Sequence, residues 1–198
     1  WMEDMSQPEF RGWIAEQSAY ARRRLDAIPG RTALLQRLQA LSEAAGDVAD
    51  LSWGGEHLFY LALEPGQNHW RLMVRENGSG KPRVLVDPAE LATAGQRLAI
   101  GEFTPSHDGS LVAVGLAAGG SEKSVLHVLD VKTGKFLEDR IDRVYGGSWT
   151  VVWLEDGKRF FYVRAPEGER YNKTRVYLHE LGRSPDADPA VVGHGVHA

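Results

Sequence analysis

Apolar side chains recur at helical intervals near the start of the chain, within residues 6–43. In the first half of this stretch the spacing predicts an amphipathic helix. Ser6 and Glu9 have the spacing of a capping box, in which both side chains bond to the backbone at a helix start. The helix is therefore expected to begin near Ser6. We expect its apolar side chains to be core residues: Phe10, Trp13, Ile14, Ala21, Leu25 and Ile28.

A second helix is predicted after the Pro-Gly pair at 29–30, which ends the first helix. It starts near Arg31 or Thr32 and ends before Gly46. One side of it carries Leu34, Leu35, Leu38 and Leu41. Together the two helices form a predicted N-terminal helical segment, residues 1–46.

From Leu51 onward the pattern changes to short strands separated by turn residues. Three stretches share one layout, in which an apolar or aromatic strand end, a tight Gly turn and a second strand follow one another. They are SWGGEHLFYLAL, FTPSHDGSLVAVGL and VWLEDGKRFFYV. Their second strands start at Leu58, Leu111 and Arg159, about 50 residues apart, which is within the range of known structural repeats.

A third and a fourth predicted strand follow each of these hairpins. The third strands are WRLMVR, VLHVLDV and RVYLHEL, and the fourth strands are RVLVD, KFLED and AVVG. Repeating units of four antiparallel strands are the signature of β-propeller blades. The sequence therefore predicts a mainly β fold, a partial β-propeller of about three blades over residues 47–198. The predicted blades cover residues 47–95, 96–142 and 143–198.

Three blades cannot close an ordinary ring, because propellers close with roughly four to eight blades. An open ring leaves strand edges and blade faces uncovered. We therefore expect the chain to be the N-terminal part of a larger propeller protein, or to complete its ring with other copies. Its first residue, Trp1 rather than Met, indicates either a deliberate truncation or a piece of a longer protein.

Composition and charge narrow the possible partners. With 42% hydrophobic residues over 198 positions, the chain can bury a core of its own. The net charge is -4 and the Lys and Arg residues are scattered, so we expect neither a nucleic-acid nor a membrane partner. Cys is absent, which excludes disulfides and thiolate metal sites. No apolar run approaches the roughly 20 residues of a membrane span, and the cytoplasm and the periplasm are both compatible compartments.

Three short motifs match catalytic or phosphate-binding sites only in part. GGSWT at 146–150 begins like a nucleophile elbow but ends in Thr150 and leads into a strand. ENGSGKP at 76–82 lacks the first Gly of a phosphate loop and the hydroxyl residue after its Lys, so we predict a hairpin turn. SHD at 106–108 holds three triad residue types side by side in a turn, where they cannot reach triad geometry among themselves.

The seven histidines are scattered, and none has the helical spacing of a zinc site. We therefore predict no catalytic residue, no metal site and no cofactor within the chain. We assign a substrate-facing role to Tyr145 and Trp149, which precede the predicted innermost strand of the third blade. Loops at that position can face a partner or a substrate, although an aromatic residue beside a strand is more often a packing residue.

Motifs from one end of the chain to the other share an order and a spacing with one known family. They are WMED, WIAEQSA, LDAIPGR, VLVDP, SHDGSLVAVGL, DGKRFFYV and VYLHELG. In this arrangement the chain resembles the N-terminal third of prolyl oligopeptidases. The resemblance covers essentially the whole chain, and the two helices ahead of the first blade add to its specificity.

The resemblance implies a serine peptidase that hydrolyses short peptides by acyl transfer. Its N-terminal helical segment would pack on an α/β-hydrolase domain, while a seven-bladed propeller covers the active site and gates access to it. The catalytic Ser, Asp and His would then lie in the hydrolase domain, outside these residues. The implied partners are that domain, the remaining blades and a short peptide substrate. The alternative function is a non-catalytic propeller-type scaffold that binds peptides or proteins, because propellers host many functions.

Overall fold

The computed structural model describes residues 2–145, 151–169 and 171–196 of the chain. The chain divides into two compact units, Trp1–Ala45 and Gly46–Ala198. The described part of the first unit contains the helices α1 (Pro8–Asp26) and α2 (Arg31–Ala44). The described part of the second contains three four-stranded antiparallel sheets. The predicted fold class is therefore confirmed.

Helix α1 begins at Pro8, whose fixed φ suits the first helical position. Glu9 in its first turn and Arg23 and Arg24 in its last turn complement the helix dipole. The predicted capping box is wrong, because the N-cap residue is Gln7 and its side chain makes no cap bond.

The side chain of Asp4 explains why Ser6 does not cap the helix. Ser6 donates to one oxygen of the Asp4 carboxylate through its backbone N and its Oγ, at 2.9 and 2.6 Å. Gln7 Nε2 donates to the other oxygen at 2.8 Å. These bonds, the one from the Ser6 hydroxyl first, lower the pKa of Asp4. Ser6 is thus held by a carboxylate on its N-terminal side and is not available to the helix.

Apolar side chains of both helices are largely exposed. No residue of α1 is buried and Trp13 is 38% exposed, so the expectation that these are core residues is wrong. The rings of Phe10 and Trp13 lie 6.3 Å apart. Helix α2 starts at Arg31 as predicted, after Gly30 at a φ of 78°. Its exposed leucines are Leu34, Leu35, Leu38 and Leu41.

Each sheet is a meander in which the strands pair in chain order. The first sheet consists of β1 (Asp47–Gly54), β2 (His57–Leu63), β3 (Arg71–Glu76) and β4 (Arg83–Val86). A short helix, α3 (Pro88–Leu91), follows it. The second sheet consists of β5 (Leu98–Pro105), β6 (Leu111–Ala118), β7 (Lys123–Asp130) and β8 (Lys135–Tyr145). The third sheet consists of β9 (Val151–Trp153), β10 (Arg159–Arg164), β11 (Arg175–Glu180) and β12 (Ala190–Gly193). A 3₁₀ turn, Pro185–Ala187, precedes β12.

Two local predictions can be compared directly with the strands. Asn77 and Gly78 have φ angles of 51° and 63° between β3 and β4, so the motif at 76–82 is a hairpin turn, as predicted. Strand β8 is longer than the predicted KFLED, because the alternating sequence after it continues to pair with β7 as far as Tyr145.

The middle sheet is buried on both faces, which explains why β6 is apolar almost throughout. Its even-numbered side chains in β6, such as Val112 and Val114, pack on the first sheet, while Ala113 faces the third. The core between the first and second sheets contains Phe59, Leu61, Leu72, Val74, Leu85, Val86, Val112, Val114, Leu116, Leu129 and Val131. The core between the second and third sheets contains Ala113, Leu126, Val128, Ile141, Val144, Val151, Trp153, Phe160 and Tyr162.

The first and third sheets each have a second face with exposed apolar side chains. Pairing registers place Val48, Trp53 and Val84 on that face of the first sheet. They place Val152 and Val192 on that face of the third sheet. The middle sheet thus resembles an interior blade, and its two neighbours resemble blades at an open end.

Candidate functional site

The first strands of the three sheets, β1, β5 and β9, lie side by side and border a cavity of about 440 Å³. We call it the inner-strand cavity. Its lining is mixed, with aliphatic, aromatic and acidic side chains. The lining residues are Asp50, Leu51, Ser52, Gly101, Glu102, Phe103, Thr104, Pro105, His107, Val151, Val152 and Trp153.

Hydrogen bonds between neighbouring sheets hold the wall of this cavity. Gly55 N donates to His107 O at 2.7 Å, which joins the first sheet to the second. His107 Nε2 lies 3.0 Å from Trp153 O, and Trp153 Nε1 donates to Thr104 O at 2.9 Å. The last two bonds join the second sheet to the third. His107 is therefore a bridging residue of the wall, contacting one neighbour through its backbone and the other through its ring.

Two glycines let the turn of the second sheet approach the first. A Cβ atom on Gly54 would lie 2.7 Å from Ser106 O, and one on Gly55 would lie 2.2 Å from Asp108 O. Both distances are too short for a side chain, so the Gly-Gly pair in SWGG serves close backbone contact. Gly55 also has a φ of 53°, a conformation that favours glycine.

The SHD motif forms a self-bonded turn at the end of this wall. Ser106 Oγ donates to Asp108 Oδ1 at 2.7 Å, and Leu111 N donates to Ser106 Oγ at 3.0 Å. Ser110 N donates to the same Asp108 oxygen at 3.0 Å. These bonds, the one from Ser106 first, lower the pKa of Asp108. Since Ser106 bonds to the aspartate and His107 to Trp153 O, the three side chains shape a turn instead of a nucleophile and its base.

Strand bulges place carboxylates beside the cavity. The register of β1 shifts between Ala49 and Ser52, where Asp50 has a φ of 51°. The register of β5 shifts between Ile100 and Glu102. Bulges re-aim side chains and are common beside functional sites. Asp50 and Glu102 thus give the cavity an acidic character.

Glu102 is accommodated by a glycine on the neighbouring strand. Its side chain is buried, and it pairs directly with Gly115 of β6. A Cβ atom on Gly115 would lie 2.0 Å from Glu102 Oε1. Ser124 Oγ lies 3.4 Å from the other carboxylate oxygen. Gly115 therefore makes the room that the buried carboxylate occupies.

The two aromatic residues singled out in the sequence are only partly placed. Tyr145 is the last residue of β8, where it pairs with Lys123. Trp149 lies outside the described residues, as does the whole GGSWT motif. Val151, the first described residue after that motif, lines the inner-strand cavity. Their role in facing a substrate stays a prediction.

Sequence reasoning missed the residues that line the cavity, Asp50, Glu102 and His107 among them. One sequence signal could have pointed to them: the Gly-Gly turn after the aromatic strand end in SWGG, where neighbouring sheets come into close contact. Within residues 2–145, 151–169 and 171–196, no group of three His, Asp or Glu side chains is placed to hold a metal ion. No helix in the described part of the chain is long and apolar enough to span a membrane.

Comparisons with known proteins agree with this architecture. A family model described as "Prolyl oligopeptidase, N-terminal beta-propeller domain" matches residues 1–195. The prolyl endopeptidase of Elizabethkingia meningoseptica is 25% identical over 200 residues, and that of Elizabethkingia miricola is 24% identical over 200 residues. Each alignment covers 98% of this chain and 28% of the relative.

Solved structures show the same likeness. A structure from a study of two prolyl endopeptidases has 28% sequence identity and a TM-score of 0.83, over 98% of this chain and 29% of that one. Prolyl oligopeptidase B from Galerina marginata, bound to a 25mer macrocyclization substrate, has 20% identity and a TM-score of 0.81. That match covers 98% of this chain and 30% of the other, and at this identity it shows the fold alone.

Proposed function

The chain belongs to the prolyl oligopeptidase family, in its N-terminal β-propeller domain, and we propose that it is the first part of a serine peptidase that hydrolyses short peptides. The observation that carries the proposal is the family match over residues 1–195, which spans both helices and all three sheets. In this proposal the Ser, His and Asp of acyl transfer lie in a hydrolase domain outside these residues. The present residues then bind and admit the substrate.

We assign the inner-strand cavity to the route by which peptides reach the active site. Its volume of about 440 Å³ is that of a site for a small ligand or a few residues of extended peptide. The hydrogen bonds through His107 and Trp153 keep its wall in one arrangement. A folded protein is too large for such an opening, which would restrict substrates to short peptides.

The exposed apolar faces supply the surfaces for the rest of the enzyme. We assign the leucine side of α2 and the exposed Trp13 to contact with the hydrolase domain. The uncovered faces of the first and third sheets would contact the remaining blades. In the study of two prolyl endopeptidases, inter-domain dynamics has a role in catalysis and specificity. Such a role is consistent with a propeller whose motion controls access to the active site.

Peptidase activity is tested on the intact protein with a short proline-containing fluorogenic peptide. We expect turnover that a serine-directed covalent inhibitor abolishes. Absence of turnover by the intact, folded protein would overturn the peptidase assignment and favour the non-catalytic scaffold. Turnover that is insensitive to the inhibitor would overturn the serine mechanism.

Access through the cavity is tested by narrowing it with Leu51→Trp. Leu51 lies in the bulge of β1, lines the cavity and is 64% exposed, while Leu91 in α3 is 39% exposed outside the lining and supplies the control Leu91→Trp. We expect L51W to lower kcat/KM for a longer peptide by about tenfold, equal to about 1.4 kcal/mol. Equal effects of both variants on a long and a minimal substrate would contradict gating at this wall and leave the peptidase assignment intact.

A further inference from the structure

A fully buried histidine lies between two buried carboxylates at the joint of the second and third sheets. His179 of β11 has Nε2 3.0 Å from Asp139 Oδ1 and Nδ1 2.8 Å from Asp188 Oδ2. The histidine side chain is 0% exposed, and those of Asp139 and Asp188 are 4% and 3% exposed. We call these three residues the Asp-His-Asp cluster. Asp139 belongs to β8 of the second sheet and His179 to β11 of the third, while Asp188 follows the 3₁₀ turn between β11 and β12.

Neighbouring donors show where the protons of this cluster lie. Gly182 N donates to Asp139 Oδ1 at 2.6 Å, and Tyr162 Oη donates to Asp188 Oδ2 at 2.9 Å. Burial, followed by the hydrogen bond to Asp188, raises the pKa of Tyr162, so its hydroxyl keeps its proton. Each of the two carboxylate oxygens facing His179 therefore already accepts one hydrogen bond from another group.

A neutral imidazole cannot satisfy both contacts when both carboxyl groups are ionised. It has one N–H donor and one nitrogen with a lone pair. The lone pair would face a carboxylate oxygen without a proton between them, and in a buried site this repulsion is only weakly screened. An imidazolium ring donates from both nitrogens and makes both contacts attractive.

We propose that His179 is held as a doubly protonated cation between Asp139 and Asp188 and acts as a pH-sensitive latch between the second and third sheets. Loss of its proton removes one of the two hydrogen bonds and leaves two carboxylates across a neutral ring. The joint between β8 and β11 then loosens. This device concerns the stability and opening of the propeller wall, and it stands independently of peptidase activity.

The groups around the ring are consistent with this assignment on every side. Strand β10 contributes Tyr162 and the ring of Phe160, whose centroid lies 5.1 Å from that of His179. A second ionic contact joins the same two sheets, from Arg164 of β10 to Asp142 of β8 and, at 3.0 Å, to Asp186 in the 3₁₀ turn. Burial lowers the pKa of Arg164, but its hydrogen bonds to Asp142 and then to Asp186 raise it overall. Arg164 therefore stays charged, and its contacts between the sheets persist from neutral to alkaline pH.

The proposal fixes the sign of the pH dependence. In the unfolded chain a histidine loses its proton near about pH 6.5. A ring that keeps its proton when folded contributes stability that is complete below that pH and is lost as the pH rises. The ratio of folded to unfolded protein is then expected to fall as the pH rises above that value, by at most about tenfold per pH unit for one proton.

The direct test is nitrogen NMR of the intact protein with ¹⁵N-labelled histidine side chains. We expect His179 to show two protonated ring nitrogens at neutral pH. One unprotonated nitrogen at neutral pH would overturn the proposal. This measurement uses the natural sequence, so it decides the question even where a variant fails to fold.

The second test compares His179→Gln with His127→Gln in urea unfolding from neutral to alkaline pH. Gln donates to one carboxylate but carries no charge, so H179Q should lose the alkaline decline of the wild type. His127 is the matched control, since it is another strand histidine whose pKa is lowered by burial and by Arg140. H127Q should keep the decline. A decline that persists in H179Q would overturn the latch.

Discussion

Single residues decide how closely neighbouring strands can approach. Gly115 is the clearest case, because it faces a buried carboxylate across a strand pair. His107 is another, because its backbone and its ring contact two different sheets. Both are positions where a small change of side chain alters a contact between elements.

Gly115→Ala is expected to destabilise the protein. The added methyl group would overlap Glu102 Oε1 in a buried position, and overpacking of this kind costs about 1–3 kcal/mol. The free energy of unfolding in urea measures the effect. Gly12→Ala adds the same methyl group inside α1, where nothing lies within 4 Å. This control should stabilise the protein, by up to about 1 kcal/mol, because Ala favours the helix more than Gly does. If G115A is as stable as the wild type, the strands have room that the structure does not show.

Ser106→Ala tests two things: how much the SHD turn stabilises the protein, and how much stability the protein loses as the pH falls. Ser106 is fully buried and bonds to both Asp108 and Leu111, so its loss is expected to cost about 1–2 kcal/mol at neutral pH.

The loss of stability at low pH follows from the lowered pKa of Asp108. A carboxyl with a lowered folded pKa contributes stability above its unfolded value of about 3.9, and that stability is lost as the pH falls through the folded value. S106A should therefore lose less stability on acidification than the wild type. Urea midpoints at neutral and acid pH measure the difference, and Ser184→Ala, at an exposed site away from this turn, should change little. Equal losses of stability on acidification in S106A and the wild type would contradict this account.

At the scale of elements, the inner strands are joined by tryptophan as well as by histidine. Trp153 lies in β9, is buried, and donates through its indole nitrogen to β5 at Thr104 O. Trp53 near the end of β1 is 60% exposed. The two tryptophans therefore form a natural pair for comparison.

Trp153→Phe is expected to destabilise the joint between β5 and β9. The change leaves Thr104 O without this donor and removes ring volume from the core, at a cost of about 1–3 kcal/mol. Trp53→Phe should change the free energy of unfolding by less than about 0.5 kcal/mol, as expected for a surface site. Chemical unfolding of both variants gives the comparison. Similar losses of unfolding free energy in the two variants would show that the burial of Trp153 does not determine how much it stabilises the protein.

The alternation of apolar and polar residues was enough to predict most strands. Successive side chains of a strand point to opposite faces, so apolar residues occupy the positions on the buried face. RFFYVR predicts β10 because Phe160, Tyr162 and Arg164 alternate toward the second sheet. The bulge at Asp50 was not predictable, because it depends on how two strands twist against each other. The Asp-His-Asp cluster was missed because its members come from separate elements that only packing brings together. The capping box failed because the short-range pattern at Ser6 did not include the competing Asp4.

At the scale of the whole molecule, burial is unequal among the sheets. The middle sheet has a core on each side, whereas the first and third each have one face with exposed apolar side chains. Local opening requires the loss of fewer buried contacts at those two sheets than in the middle one.

Hydrogen exchange should follow this inequality. We expect the amides of β6 to exchange most slowly and those of β12, whose side chains are largely exposed, to exchange among the fastest of the strands. Exchange mass spectrometry of the intact protein under native conditions measures both. Protection of β12 equal to that of β6 would show that the third sheet is covered in solution.

The described cores between sheets join neighbours in the chain, and this has a consequence for synthesis on the ribosome. The side chains of Phe59 and Leu72 have no cover from the second sheet until Val112 to Val131 have been made. The first meander can fold as soon as it emerges, because its pairings are local. It then waits with one apolar face bare until the next meander is translated and docks. We therefore expect the sheets to fold in chain order, each packing on the apolar face of the sheet before it. A pause in translation after β4 would leave the apolar face of the first sheet exposed to solvent, where a chaperone could bind it.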